Sequence, residues 1–184
     1  MFFSIDANLA LTPLQISDAV NVYTLVEANR TRLGKYLYWV NDVIDVPSAR
    51  SYINARIHSN LPGAHWFGVQ RQGELAGIFA IKSITYPGGI AELGYWLAGC
   101  AQRQGIIPRI LAALPQLFTA LSVNDVNVLE FRCLSGNLAS IRIAEKAGAI
   151  CVDTLTGYAC QAHQLQDLLV MHANFTYGEA LAAI

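Results

Sequence analysis

Apolar positions change their spacing repeatedly along this chain, and each change marks an element. FFSIDANLALTPL (residues 2–14) alternates in part and ends in Thr-Pro, which predicts a first strand. ISDAVNVYTLVEANR places Ile16, Val20, Tyr23 and Leu25 or Val26 at helical spacing, with Ser17 and Asp18 as capping candidates. TRLGKYLYWVNDV is aromatic-rich and irregular, and VPSARSYINARIHSN predicts a second helix entered at Pro47. HWFGVQRQGELAGIFAIKSI predicts a hairpin turning at Gln72-Gly73, and GGIAELGYWLAG predicts the next strand. One long helix is then expected to about Leu121. VNVLEFRCL predicts a strand and NLASIRIAEKAGA a helix closed by Gly148. ICVDTLTGYAC and HQLQDLLVMHANF predict two closing strands. The order β-α-α-β-β-β-α-β-α-β-β implies a single mixed α/β (α+β) domain over 1–184 with a partly antiparallel sheet.

Composition sharpens this picture. The 184 residues are 54% hydrophobic, and the mean hydropathy is +0.36. No uncharged apolar run reaches the ~18 residues of a membrane span, and the charge-free stretch from Ile110 to Asn124 is interrupted by Pro115. The surplus of apolar side chains is therefore expected in a core or a homodimer interface. With 12 basic and 13 acidic residues, the chain has no basic block to suggest nucleic acid, and no membrane partner is expected. Cys100, Cys133, Cys151 and Cys160 form no CxxC pair, which fits reduced thiols in a cytoplasmic protein. The N-terminus lacks the basic and long apolar regions of a secretion signal. His58, His65, His163 and His172 have no metal-ligand spacing, so no metal is expected.

The segment CAQRQGIIPRIL (residues 100–111) joins a predicted strand to a predicted helix through a Gln/Gly turn. Free N–H groups at such a turn attract anions, and glycine lets a phosphate approach the backbone. A lone glycine is also common at such turns for steric reasons alone.

The surrounding residues carry more. Glu92-Leu93-Gly94-Tyr95-Trp96-Leu97 is followed by Gln102-Arg103-Gln104-Gly105-Ile106-Ile107. Arg132-Cys133, then Asn137-Leu138-Ala139-Ser140, then Gly148-Ala149 come next. This series resembles the GNAT acetyltransferase superfamily, and within it the RimJ/RimL-like ribosomal-protein N-terminal acetyltransferases. The resemblance runs from about Leu11 to Phe175 and includes ANRTRLGKYLYWV, which is similar to that family's loop between its first two helices. It implies a mostly antiparallel twisted sheet splayed at its fourth and fifth strands, with helices on both faces. It implies acetyl-CoA as donor and a primary amine, on a protein N-terminus or a small molecule, as acceptor.

By the same resemblance, pantetheine would lie between the splayed strands against the backbone of Trp96, Leu97 and Ala98. The pyrophosphate would sit on the N–H groups of Gln104, Gly105, Ile106 and Ile107, with Gln102 as a further cofactor-binding residue. Glu92 would be the general base, acting through water; the other reading is a strand-end carboxylate paired with an arginine. The N–H near Leu97 would polarise the thioester carbonyl. Ser140 would meet the CoA sulfur, or serve as a helix N-terminal hydroxyl; Asn137 would cap that helix and hold pantetheine. Tyr95 and Trp96 read as core or as substrate slot. Tyr38 and Trp39 read as an acceptor-pocket wall or a loop staple, and Glu130 faces the cleft or solvent.

Two positions depart from the family pattern. Ile107 stands where a small residue is usual and is expected to crowd the pyrophosphate. Pro108 has no N–H to donate. They keep open a second reading, a catalytically weak GNAT-fold binding or regulatory protein. A third is a detoxifying transferase acting on a small amine or peptide antibiotic.

Overall fold

The computed structural model describes residues 2–161 and 164–177. Eight strands form one sheet in the order β1-β2-β3-β4-β5-β6-β8-β7. The strands are β1 (Phe3–Asp6), β2 (Leu9–Pro13), β3 (His65–Arg71), β4 (Glu74–Thr85), β5 (Ile90–Leu97), β6 (Val128–Leu134), β7 (Ile150–Gln161) and β8 (Gln164–Asn174). The helices are α1 (Ala19–Leu33), α2 (Val46–Ile57), α3 (Ile106–Ala112), α4 (Leu114–Ala120) and α5 (Leu138–Lys146). All neighbouring strands are antiparallel except β5 and β6.

Two expectations are corrected. The first strand is a hairpin, because Asp6 accepts from the Asn8 N–H and turns the chain between β1 and β2. The long helix is two helices, broken at Ala113. Pro115 has no N–H to return to Leu111, and its ring disfavours continuation; it stands instead in the first turn of α4, where proline is tolerated. The other predicted elements form close to where the apolar spacing put them. Asp45 caps α2 with a reciprocal Ser48 bond, and Asn137 caps α5.

Strand alternation sends neighbouring side chains into two different cores. Leu93 and Leu97 join Phe79, Phe131, Ile106, Ile107, Ile110, Phe118 and Ala144 on the α3–α5 face. Ile78 and Trp96 join Val22, Val26, Trp39, Tyr52 and Ile53 on the α1–α2 face. The predicted placement of helices on both faces is thus present.

The parallel pair opens partway along. Partners run from Ile90–Val128 to Leu93–Phe131, and beyond them residues 94–97 and 132–134 no longer pair with each other. β5 stays with β4 to Leu97, and β6 stays with β8 to Leu134. A wedge therefore opens through the sheet at the ends of β5 and β6. These are the expected splayed strands, counted one later because of the extra N-terminal strand.

Candidate active site

A cavity of about 330 Å³ occupies this wedge. Because it breaches the sheet, it is lined from both faces. Tyr95 and Cys133 belong to the α3–α5 face, where Ser140 also lies. Glu92, Trp96, Trp39, Tyr52 and Arg56 line the other side. Two reactants entering from opposite faces could meet in the gap.

Glu92 is mostly buried and forms an ion pair with Lys82, which is more exposed. Its partner is a lysine rather than the arginine of the bland reading, and the pair lines the cavity. Glu130 lies beside Glu92 in the parallel ladder and pairs with His172 Nε2 at 2.9 Å, outside the cavity lining. His58 caps α2 and His65 stacks on Phe67, while His163 lies outside the described residues. Among the described residues, no group of His, Cys, Asp and Glu is placed to hold a metal.

On the opposite face, Asn137 accepts the Ser140 N–H at 3.3 Å, and both residues line the cavity. Ser140 is thus positioned by the capped helix with its hydroxyl available. Tyr95 was legible only as core or slot. Its Oη is buried without a hydrogen-bond partner in normal geometry among the described residues. Burial, reinforced by neighbouring Cys133, raises its phenol well above the usual range, with Ser140 opposing in part. Tyr95 therefore stays protonated, as a donor awaiting an acceptor. Burial likewise pushes the Cys133 thiol up to about 11.

At the end of β5 the backbone divides its duties. Ala98 N–H donates to Ala76 O at 2.8 Å, toward β4. By strand alternation the Leu97 N–H points the other way, into the wedge. Gln102 Nε2 donates to Leu97 O at 3.3 Å, tying the following turn to the strand end. On α1, Asn29 Oδ1 accepts from the Gly99 N–H at 2.9 Å and from Arg32 Nη2. This clamp from α1 was not legible in sequence, because nothing local links residues 29 and 99.

The turn itself is exposed from Gln102 to Gly105. Arg103 (φ 59°) and Gly105 (φ 67°) are left-handed, an arrangement that lets successive N–H groups converge on an anion. Gln104 Nε2 is engaged with Cys100 O at 2.6 Å. Ile106 and Ile107 begin α3 with side chains in the core, 1% and 3% exposed. The expectation that Ile107 crowds the turn is therefore corrected: its branched side chain points away, leaving its N–H at the helix start. Pro108 costs one donor only. Leu97, Ala98 and residues 102–107 lie outside the cavity lining, on the rim beyond β5, whereas Glu92, Trp96, Asn137 and Ser140 share the cavity.

The family described as Acetyltransferase (GNAT) domain matches residues 8–150. The ribosomal-protein-serine acetyltransferase of Escherichia coli (strain K12) is 29% identical over 147 residues, 79% of each chain. A solved structure described as a ribosomal L7/L12 α-N-protein acetyltransferase in complex with coenzyme A covers 100% of both chains, with a TM-score of 0.83 at 20% identity. The microcin C7 self-immunity acetyltransferase in complex with acetyl-CoA and AMP covers 93% of this chain and 94% of its own, with a TM-score of 0.79 at 18% identity.

Proposed function

The chain belongs to the acetyltransferase (GNAT) family and is an acetyl-CoA-dependent N-acetyltransferase, and from this premise we propose that its acceptor is the N-terminal amine of a protein, of the ribosomal kind named for its relatives. The observation that carries the reading is the breach of the sheet at β5 and β6. It sets Glu92 on one face of a single cavity and Ser140 with Tyr95 on the other.

In this reading acetyl-CoA enters from the α3–α5 face. Its pyrophosphate rests on the N–H groups of 104–107, and Leu97 N–H donates to the thioester oxygen. The acceptor enters from the α1–α2 face past Trp39 and Tyr52. Glu92, paired with Lys82, takes a proton from the ammonium through water. The freed amine attacks the carbonyl carbon, and a tetrahedral oxyanion forms. The C–S bond then breaks, and its electron pair leaves on sulfur. The nitrogen loses its second proton and the departing sulfur gains one, with the protonated Tyr95 and neighbouring Ser140 donating hydrogen bonds to the sulfur, so that Tyr95 ends the cycle protonated as it began. The products are an N-acetylated amine and CoA.

The protein would work in the cytoplasm, where ribosomal proteins are made. A homodimer is supported by the exposed apolar side chains of the outer hairpin, Ile150, Val152, Tyr158 and Leu165.

Incubation with acetyl-CoA and peptides beginning with serine, followed by mass spectrometry, tests the reading. A gain of one acetyl group on the α-amine is expected. Glu92→Gln is expected to lower kcat by about 10²–10⁴-fold while acetyl-CoA binding persists. Undiminished kcat at neutral pH would remove Glu92 from the mechanism, and acetylation confined to lysine side chains would remove the N-terminal acceptor.

A further inference from the structure

The acceptor side of the cavity contains a cation with no counterion among the described residues. Arg56, near the end of α2, lies with its guanidinium carbon 3.4 Å from the Tyr52 ring centroid. It is 5.3 Å from that of Trp66 and 5.6 Å from that of Trp39. Nη1 donates to Tyr52 O at 2.9 Å, and this is the guanidinium's one hydrogen bond among the described residues. Nε is buried without a partner, as is the neighbouring Trp66 Nε1. No carboxylate among the described residues pairs with Arg56. Tyr52 does not supply the missing charge, since burial raises its phenol and keeps it neutral.

Arg56 as a whole is half-buried, but charges and donors withdrawn from water are ordinarily paired and bonded, because the loss of water is costly. Stacking on aromatic faces offsets part of that cost and fixes the guanidinium in place. It leaves the hydrogen-bonding capacity unused. The wider wall has the same sign: Arg56, Lys82 and Arg132 line the cavity against the single carboxylate of Glu92, which Lys82 already holds. A chain whose net charge is −1 has thus gathered positive charge where its acceptor must lie.

We infer that Arg56 is the anion-recognition residue of the acceptor site, so that the preferred acceptor carries a carboxylate within a few residues of the amine to be acetylated. The inference rests on the reading of this cavity as the acceptor site of an N-acetyltransferase. The aromatic faces of Trp39, Tyr52 and Trp66 hold the guanidinium planar and pre-oriented. An acceptor carboxylate supplies the oxygens its donors lack, and charge-assisted bonds of this kind are the strong ones. Discrimination follows because an amide of equal size leaves the cation unpaired.

The test uses C-terminally amidated peptides that begin with serine, with Glu or Gln at the second, third or fourth position. A dipeptide with a free C-terminus is included to distinguish a main-chain carboxylate from a side-chain one. For the wild-type protein, kcat/KM is expected to favour Glu over Gln at one position by about tenfold or more. Arg56→Gln should bring that ratio close to one, and Arg56→Lys should retain part of it. Acetyl-CoA affinity should be unchanged in both variants, which also reports that they fold. A response confined to the free C-terminus keeps the anion site and assigns it to an amino-acid-like acceptor. Equal use of Glu and Gln peptides by the wild-type protein overturns the inference. So does a loss of rate in Arg56→Gln that falls equally on both peptides, since that is what a purely structural stack would give. Titrations following tryptophan fluorescence separate this claim from the acceptor reading beneath it. Acid-selective binding without turnover keeps the anion site and removes the peptide acceptor, whereas equal binding of acid and amide removes the anion site.

Discussion

Single side chains in this molecule take their chemistry from which face of β5 or β6 they occupy. Tyr95 and Trp96 are adjacent in sequence yet face opposite sides of the sheet. Trp96 Nε1 donates to Tyr52 Oη at 3.3 Å on the α1–α2 face, while the Tyr95 phenol on the α3–α5 face has no partner among the described residues. Cys133 shares that second face, and its burial has a measurable consequence. A thiol whose pKa is raised to about 11 by burial stabilises the fold fully below the ordinary thiol range, where both states are protonated. That contribution is lost as pH rises toward 11, because the unfolded chain ionises first. Denaturant titrations from pH 8 to 10.5 should show falling stability, and Cys133→Ala should flatten the slope. An unchanged slope would assign the loss to other groups.

At the scale of elements, the turn 102–107 and its helix would set cofactor affinity in the proposed reading. Gly105 is left-handed with open space around it, so a side chain there is resisted by backbone conformation rather than by a clash. Gly77 differs: a Cβ would lie 2.1 Å from Trp96 O, so glycine is what allows β4 to approach the end of β5. Pro108 is the one departure that still bears on the site. Pro108→Ala restores an N–H in the first turn of α3 and leaves the buried Ile107 in place. Calorimetry should show tighter acetyl-CoA binding, by up to about tenfold for one recovered charge-assisted bond. Weaker binding in the folded variant would mean that the proline's rigidity matters more than the missing donor. Replacing Ile107 itself offers no gain at the turn, since it would empty a core position.

For the whole molecule, the wedge means that the two halves of the sheet meet at β5–β6 by only a short paired stretch, and acetyl-CoA would bridge them. A ligand of the folded state at a hundred times its Kd stabilises by about 2.7 kcal/mol. At this chain length that corresponds to roughly 5–10 °C in Tm. Differential scanning with and without acetyl-CoA reads the shift directly, and a flat result at millimolar acetyl-CoA would favour the weakly catalytic reading. Assembly belongs to the same scale. β7 is an edge strand whose described side chains are mostly exposed, with Asp153 as its one charged residue. Such an edge invites pairing. Light scattering at micromolar concentration should give twice the 20.0 kDa chain mass, and a single-chain mass throughout would end the dimer proposal.

Much of this was written locally in the chain. Periodicity located most elements, because a buried stripe or face imposes its spacing on the residues that form it. Glu92, Trp96, Asn137 and Ser140 could be singled out because short-range motifs on β5 and α5 surround them, and the structure brings all four to one cavity. Other features needed the folded chain. The break at Pro115 was visible as a residue, but whether the helix would kink or end depended on packing against the sheet. Ile107 looked obstructive in sequence because its direction was unknown, and the phase of α3 against the core turned it inward. The Asn29–Gly99 clamp joins positions far apart along the chain, and the Arg56 stack adds Trp39 and Trp66 from outside α2 to its helix neighbour Tyr52, so no local pattern announces either in full. The tertiary structure also decided that Arg56 has no counterion among the described residues, because a missing partner is a property of everything packed around a charge.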